Sequence, residues 1–127
     1  MAWLTKIEKK ALVEFINKLT QEFCNYLKFV ILYGSKARGD RHRESDVDLL
    51  IVMNKVDKKI WDKIVDLELE TGDKYDYKSH LSIHPMTVKE YNWMQHRQLP
   101  FILNVNQEGI ILWKYGKKTK SLTQIIT

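Results

Sequence analysis

Gly34 and Ser35 close an apolar run, Phe29-Val30-Ile31-Leu32-Tyr33, and Arg38 follows one helical turn after Ser35. Asp46 and Asp48 open a second apolar run, Val47 to Val52. These residue types at this spacing suit phosphate chemistry. Gly34 lets the backbone approach a ligand closely and tolerates positive φ. Ser35 adds a hydroxyl and a backbone N–H, and donors at such a turn form a cradle for an anion. Arg38 can bring a guanidinium to the same anion. Residues two apart on a strand share a face, so Asp46 and Asp48 point the same way. Their mutual repulsion is about 3 kcal/mol at roughly 5 Å and an effective dielectric constant near 20. A divalent cation would relieve it, and Mg²⁺ favours one or two carboxylates completed by phosphate oxygens. A phosphate cradle facing a carboxylate pair describes a nucleoside triphosphate site for metal-assisted transfer.

Other phosphate motifs do not apply. Gly34-x-x-x-x-Gly39 continues with Asp40 rather than Lys, so it is not a P-loop, and the chain has no Gly-x-Gly-x-x-Gly. A Gly-Ser turn alone merely ends a strand, and Ser45-Asp46 alone merely precedes one. The order of the pieces between two apolar strands carries the reading.

That combination, Gly-Ser-x-x-Arg-Gly followed by Ser-Asp-x-Asp-Leu, resembles the nucleotidyltransferase superfamily typified by DNA polymerase beta. It is more closely similar to the minimal nucleotidyltransferases of bacteria and archaea, often paired with a HEPN-domain protein. The resemblance implies that Gly34 and Ser35 bind the triphosphate, where the spacing also brings Arg38, and that Asp46 and Asp48 hold Mg²⁺. It implies transfer of AMP from Mg-ATP to a hydroxyl of a partner protein, with this chain as the antitoxin of a HEPN toxin. It also implies a third catalytic carboxylate on a later strand. The strand expected over Tyr77 to Ile83 contains no acid, so the third carboxylate is either Asp76, at its edge, or missing. His80 and His84 are the other candidate bases. A degenerate domain that neutralises its partner by binding, or transfer to a small molecule, are the alternative functions.

The elements that must position these residues follow from periodicity. Thr5-Lys6-Ile7-Glu8 has the capping-box form and starts a helix to about Tyr26, with Ile7, Ala11, Phe15, Leu19 and Phe23 on its apolar face. A helix from Lys58 to Glu70 is expected to end at Thr71-Gly72-Asp73, with Gly72 as its C-cap. Pro85 is expected to stop the following strand. Thr87-Val88-Lys89-Glu90 starts a helix to about Arg97, with Tyr91 and Met94 inward. A partly helical connection spans Leu99 to Asn106, and Ile110 to Trp113 forms a last strand. The expected architecture is the polymerase-beta-like fold, α/β (α+β), a mixed sheet with helices packed on one face and a cleft on the other.

With 127 residues, 44% of them apolar and 29% charged, the chain reads as one domain over 1–115 with a basic tail over 116–127. The net charge of +5 is spread along the chain, which makes direct nucleic-acid binding an unlikely role. No apolar run is long enough to span a bilayer, and Lys6, Glu8, Lys9 and Lys10 break any signal-peptide layout. The single cysteine, Cys24, cannot form an internal disulfide and is expected to be buried on a helix face, in keeping with a cytoplasmic protein. Ile125 and Ile126 near the end of the tail have no assigned role.

Overall fold

The computed structural model describes residues 4–39, 46–75 and 80–116. In chain order these form α1 (Lys6–Phe23), β1 (Leu27–Tyr33), α2 (Gly34–Arg38), β2 (Val47–Met53), α3 (Lys58–Lys74), β3 (Leu81–Thr87), α4 (Val88–Arg97), α5 (Pro100–Glu108) and β4 (Ile110–Lys114). The four strands make one mixed sheet in the order β3-β2-β1-β4. β1 is antiparallel to both β2 and β4, whereas β2 and β3 are parallel. The parallel pair is joined through α3, the crossover such a pair requires.

Alternation along the two central strands sorts the core into two layers. Val47, Leu49, Ile51 and Met53 of β2 face one way and pack with Leu12, Phe15, Ile16 and Leu19 of α1 and Ile64 and Leu67 of α3. Leu50 and Val52 face the other way and pack with Ile102 and Val105 of α5 and Tyr91 and Met94 of α4. The mixed sheet is as expected, and α1 and α3 share one face. Helices do not stay on that face, however, since α4 and α5 cover part of the opposite one. Leu99 to Asn106 is therefore more than a partly helical link. Pro100 sits at the helix start, where its missing N–H has no intrahelical partner to lose.

The local signals succeed where the chain satisfies its own backbone. Thr5 and Glu8 form the reciprocal capping box of α1, and Thr87 and Glu90 form that of α4. Tyr91 and Met94 pack inward as expected. Several expectations are corrected. α1 ends at Phe23 rather than near Tyr26, and Cys24 is exposed at its C-cap instead of buried. α3 does not stop at Gly72 but continues to Lys74, with Gly72 buried inside it. Glycine costs a helix interior about 1 kcal/mol. Packing offsets that here, and Lys18–Glu70 (3.6 Å) and Lys74–Glu14 tie the last turns of α3 to α1. Pro85 lies inside β3 and pairs with Ile51 instead of ending the strand. Among the described residues β3 is an edge strand, bonded on one side only, so a missing N–H is tolerated there. The described strand, Leu81–Thr87, runs on past the expected end at Ile83; residues 76–79, around its expected start, lie outside the described residues, as does the tail from 117. Among the described residues no helix is long and apolar enough to cross a membrane.

Candidate active site

The site is built at the C-terminal end of β1 and the N-terminal end of β2, which the antiparallel pairing brings together. Tyr33 pairs with Asp48 in the register of the two strands. The chain then turns at Gly34, with φ +77°, into the short helix α2. Asp48 lies directly against that turn: a Cβ added at Gly34 would stand 2.3 Å from Asp48 Oδ2. Gly34 is thus required twice over, by its backbone angle and by the carboxylate on it.

Asp46 and Asp48 share the face of Leu50 and Val52, the side covered further along by α4 and α5. Burial raises the Asp48 carboxyl above its ordinary range, and the neighbouring Asp46 charge raises it further. His84 and Arg38 act in the opposite direction, and Glu108 adds a smaller upward push. Tyr33, beside Asp48, has its phenol pushed up first by burial and then by the Asp48 charge. Its ring meets Phe101 edge-on at 5.4 Å and lies 6.0 Å from His84, forming an aromatic wall next to the carboxylate.

The two cations of α2 part company. Lys36 is fully buried and donates to Glu8 Oε1 at 3.2 Å, across from the carboxylate's other role as acceptor of the Thr5 N–H at 2.8 Å. Arg38 faces outward, and its Nη1 donates to both oxygens of Glu108, at 3.2 and 3.0 Å. Glu108 also accepts the Gly34 N–H at 3.2 Å. The structure therefore brings Gly34, Arg38, Asp46 and Asp48 around one turn, with Ser35 next in the chain at the first turn of α2. Glu108 and the Glu8–Lys36 pair are additions that the sequence did not flag, because both partners lie far along the chain.

Asp76 lies outside the described residues, as do Asp40 to Ser45. The described part of the neighbouring strand supplies no acid. In the parallel register Ser82 stands beside Asp48 and His84 beside Leu50. His80, just before β3, places Nε2 4.0 Å from Asp46 Oδ1, and its carbonyl accepts the Val47 N–H at 2.8 Å.

A divalent cation fits this donor set. Two hard carboxylate oxygens project from one strand face, and Asp48 bears an electrostatic cost that a cation would lift. Among the described residues no group of three or more His, Cys, Asp or Glu is arranged to hold a metal by itself. Mg²⁺ takes few protein ligands and completes its shell with phosphate and water oxygens, a need that two carboxylates can meet.

The sequence of residues 12–100 matches the family described as the nucleotidyltransferase domain. A protein of Methanocaldococcus jannaschii named as a candidate protein adenylyltransferase is 37% identical over 108 residues, spanning 84% of this chain and 98% of that protein. Among solved structures, a candidate nucleotidyltransferase from Sulfolobus solfataricus superposes with a TM-score of 0.52 at 19% identity, covering 87% of this chain and 83% of its own. A toxin–antitoxin structure containing AMP-PNP superposes with a TM-score of 0.51 at 22% identity, covering 82% of this chain and 74% of its own. The last two likenesses are of fold. With the Gly34 turn and the Asp46–Asp48 pair in place, the sequence match decides the matter, and the chain belongs to the nucleotidyltransferase domain family.

Proposed function

We propose that this chain transfers AMP from Mg-ATP to a side-chain hydroxyl of a partner protein, and that it is the antitoxin of a HEPN toxin. The observation that carries the proposal is the seating of the Asp48 carboxylate against the Gly34–Ser35 turn. That seating supports reading the turn as a phosphate cradle and Asp48 as a cation ligand within one ligand's reach. The name of the Methanocaldococcus jannaschii relative and the AMP-PNP in the toxin–antitoxin structure of the same fold support the reading. The family resemblance supplies the class of partner.

Gly34 lets the backbone come close to the outer phosphates, Ser35 offers its backbone N–H and hydroxyl, and Arg38 adds its guanidinium. Asp46 and Asp48 would hold Mg²⁺, which when bound neutralises phosphate charge and polarises the reacting phosphorus. The acceptor oxygen attacks the α-phosphate in line, its proton passes to a base, and pyrophosphate leaves. We assign that base to Asp76 as the third carboxylate, with His80 as the alternative because it stands beside Asp46. Replacing Asp76 with Asn while retaining His80 separates the two.

The absence of an acid among the described residues of β3 favours a second reading, neutralisation by binding alone. One experiment decides. The full chain is co-expressed with its HEPN partner and incubated with labelled ATP and Mg²⁺. Adenylate should appear on the partner, and Asp48→Asn should abolish it. A partner that stays unlabelled but is still inhibited by the Asp48→Asn chain would establish binding as the mechanism instead.

A further inference from the structure

We infer that the strip of sheet left open between α4 and β4 is a docking groove for a partner segment that carries a large apolar side chain beside a carboxylate. Phe29 and Ile31 of β1 form its floor, and Tyr91 of α4 and Ile111 of β4 form its walls, around a cavity of about 240 Å³. Phe29 and Tyr91 meet edge-on at 4.8 Å, which fixes one wall to the floor. A second cavity of about 350 Å³ continues past Phe29 and Lys114 to Lys28, Val88 and Tyr115. Ile111 is 48% exposed and Tyr115 52%, so apolar surface meets water at either end of the strip. The groove lies away from the carboxylate pair. Phe29 stands four residues before Tyr33 on β1, about 13 Å along the strand. The inference is therefore independent of the nucleotide reading.

Charge selects the occupant. Lys114 lines both cavities and Lys28 the second, and among the described residues no acid lines either. The cavity between the end of α1 and the start of α3, by contrast, mixes Glu22, Asp57 and Asp62 with Lys55, Lys59 and Lys63. Lys28 Nζ lies over the Tyr115 ring at 4.6 Å, and Lys114 has no ion-pair partner among the described residues. A carboxylate on the partner meets a single sign of charge here, while its apolar neighbour enters the slot between Tyr91 and Ile111. The same charges disfavour other occupants. A second copy seated on this patch by twofold symmetry sets the two lysines against their own counterparts. β4 also resists pairing with another β4, being five residues long, irregular opposite Val30 and Ile31, and tipped with Lys114. The chain's own tail brings Lys117, Lys118 and Lys120 ahead of its apolar Ile125 and Ile126.

Selection of a display library of random peptides on the full chain tests this. Selected peptides should carry a large aliphatic or aromatic residue beside Asp or Glu. Ile111→Lys should weaken them roughly tenfold, because an ammonium replaces the apolar wall. Lys114→Glu should also weaken them roughly tenfold, by turning an attraction into a repulsion. A misfolded chain would lose every ligand, so the selection is repeated on Lys28→Glu/Lys114→Glu, which should enrich Lys and Arg in place of the acid. Backbone NMR signals of Phe29, Tyr91 and Ile111 should move on binding. The inference is overturned if the selection returns no binder, if the binders lack an acid, or if they ignore Ile111→Lys and the charge reversal. Concentration-dependent dimerisation that Ile111→Lys abolishes would make a second copy the occupant and overturn it as well. So would a shift of the Tyr91 and Ile111 signals in the free chain on Ile125→Lys/Ile126→Lys, which would give the groove to the tail.

Discussion

Replacing Gly34 with alanine should separate what the turn does for folding from what it does for chemistry. Two costs are added. At φ +77° an L-residue costs about 1–2 kcal/mol relative to glycine. The new methyl also stands 2.3 Å from Asp48 Oδ2, 3.3 Å from Cγ and 3.5 Å from Cβ, where ordinary contact begins near 3.4 Å. The carboxylate must retreat by about 1 Å, and leaving its rotamer well adds about 0.5–1.5 kcal/mol. Together these give a destabilisation of roughly 2–3 kcal/mol.

Urea unfolding of four proteins checks the reasoning: wild type, Gly34→Ala, Asp48→Ala and the double variant. The contact term vanishes in the double variant, so the cycle should show a favourable coupling of about 1 kcal/mol. Gly116→Ala is a useful companion. Gly116 has φ +75° with nothing within 4 Å of an added Cβ, so it carries the backbone term without the contact. Displacing a reactive-site carboxylate by about 1 Å should also lower AMP transfer by about a hundredfold. An additive cycle, with Gly34→Ala no worse than Gly116→Ala, would refute the claim that Asp48 is seated on the turn.

Asp48→Asn should stabilise the fold at neutral pH while removing activity. The folded-state pKa of Asp48 is raised, so its contribution to stability is full below the ordinary carboxylate range and is lost as pH rises through the folded value. The gain from Asn, read by urea titration, should therefore be clear near pH 7 and vanish near pH 3. Lys36→Met should cost about 3 kcal/mol by leaving Glu8 buried without its cation. Adding Glu8→Gln, which keeps an acceptor for the Thr5 N–H, should restore most of that loss. A Lys36→Met chain as stable as wild type would show that the pair is not an anchor.

How far the sequence could be read depended on how local each feature was. The turn, the two strands and the shared face of Asp46 and Asp48 fall within one short stretch, and period-two alternation suffices to orient them. Both capping boxes are likewise closed within four residues. Gly72 and Pro85 misled because their rules describe an isolated helix or strand. Burial against α1 carried the helix past Gly72, and an edge position admitted Pro85. Cys24 misled for a related reason, since α1 ended just before it and left it in solvent.

The division of labour within α2 could not be read at all. Lys36 and Arg38 stand two apart in one basic stretch, and either might have met a phosphate. Their partners settle it. Glu8 lies 28 residues before Lys36, and Glu108 lies 70 residues after Arg38. A helix of five residues is far too short to hold itself in water, so α2 must be fixed by what surrounds it. On the inner side a buried ion pair joins it to α1, and on the outer side a half-exposed one joins it to α5. Both carboxylates fall outside residues 12–100, the span matched to the family. The motif thus carries the groups that would touch the nucleotide, while their placement depends on two acids from elements at either end of the described fold. A fully buried ion pair is held rigidly by its surroundings, whereas a half-exposed guanidinium can be reached by a ligand from solvent. That difference makes Lys36 an anchor of the turn and leaves Arg38 the cation of α2 that our proposal gives to phosphate.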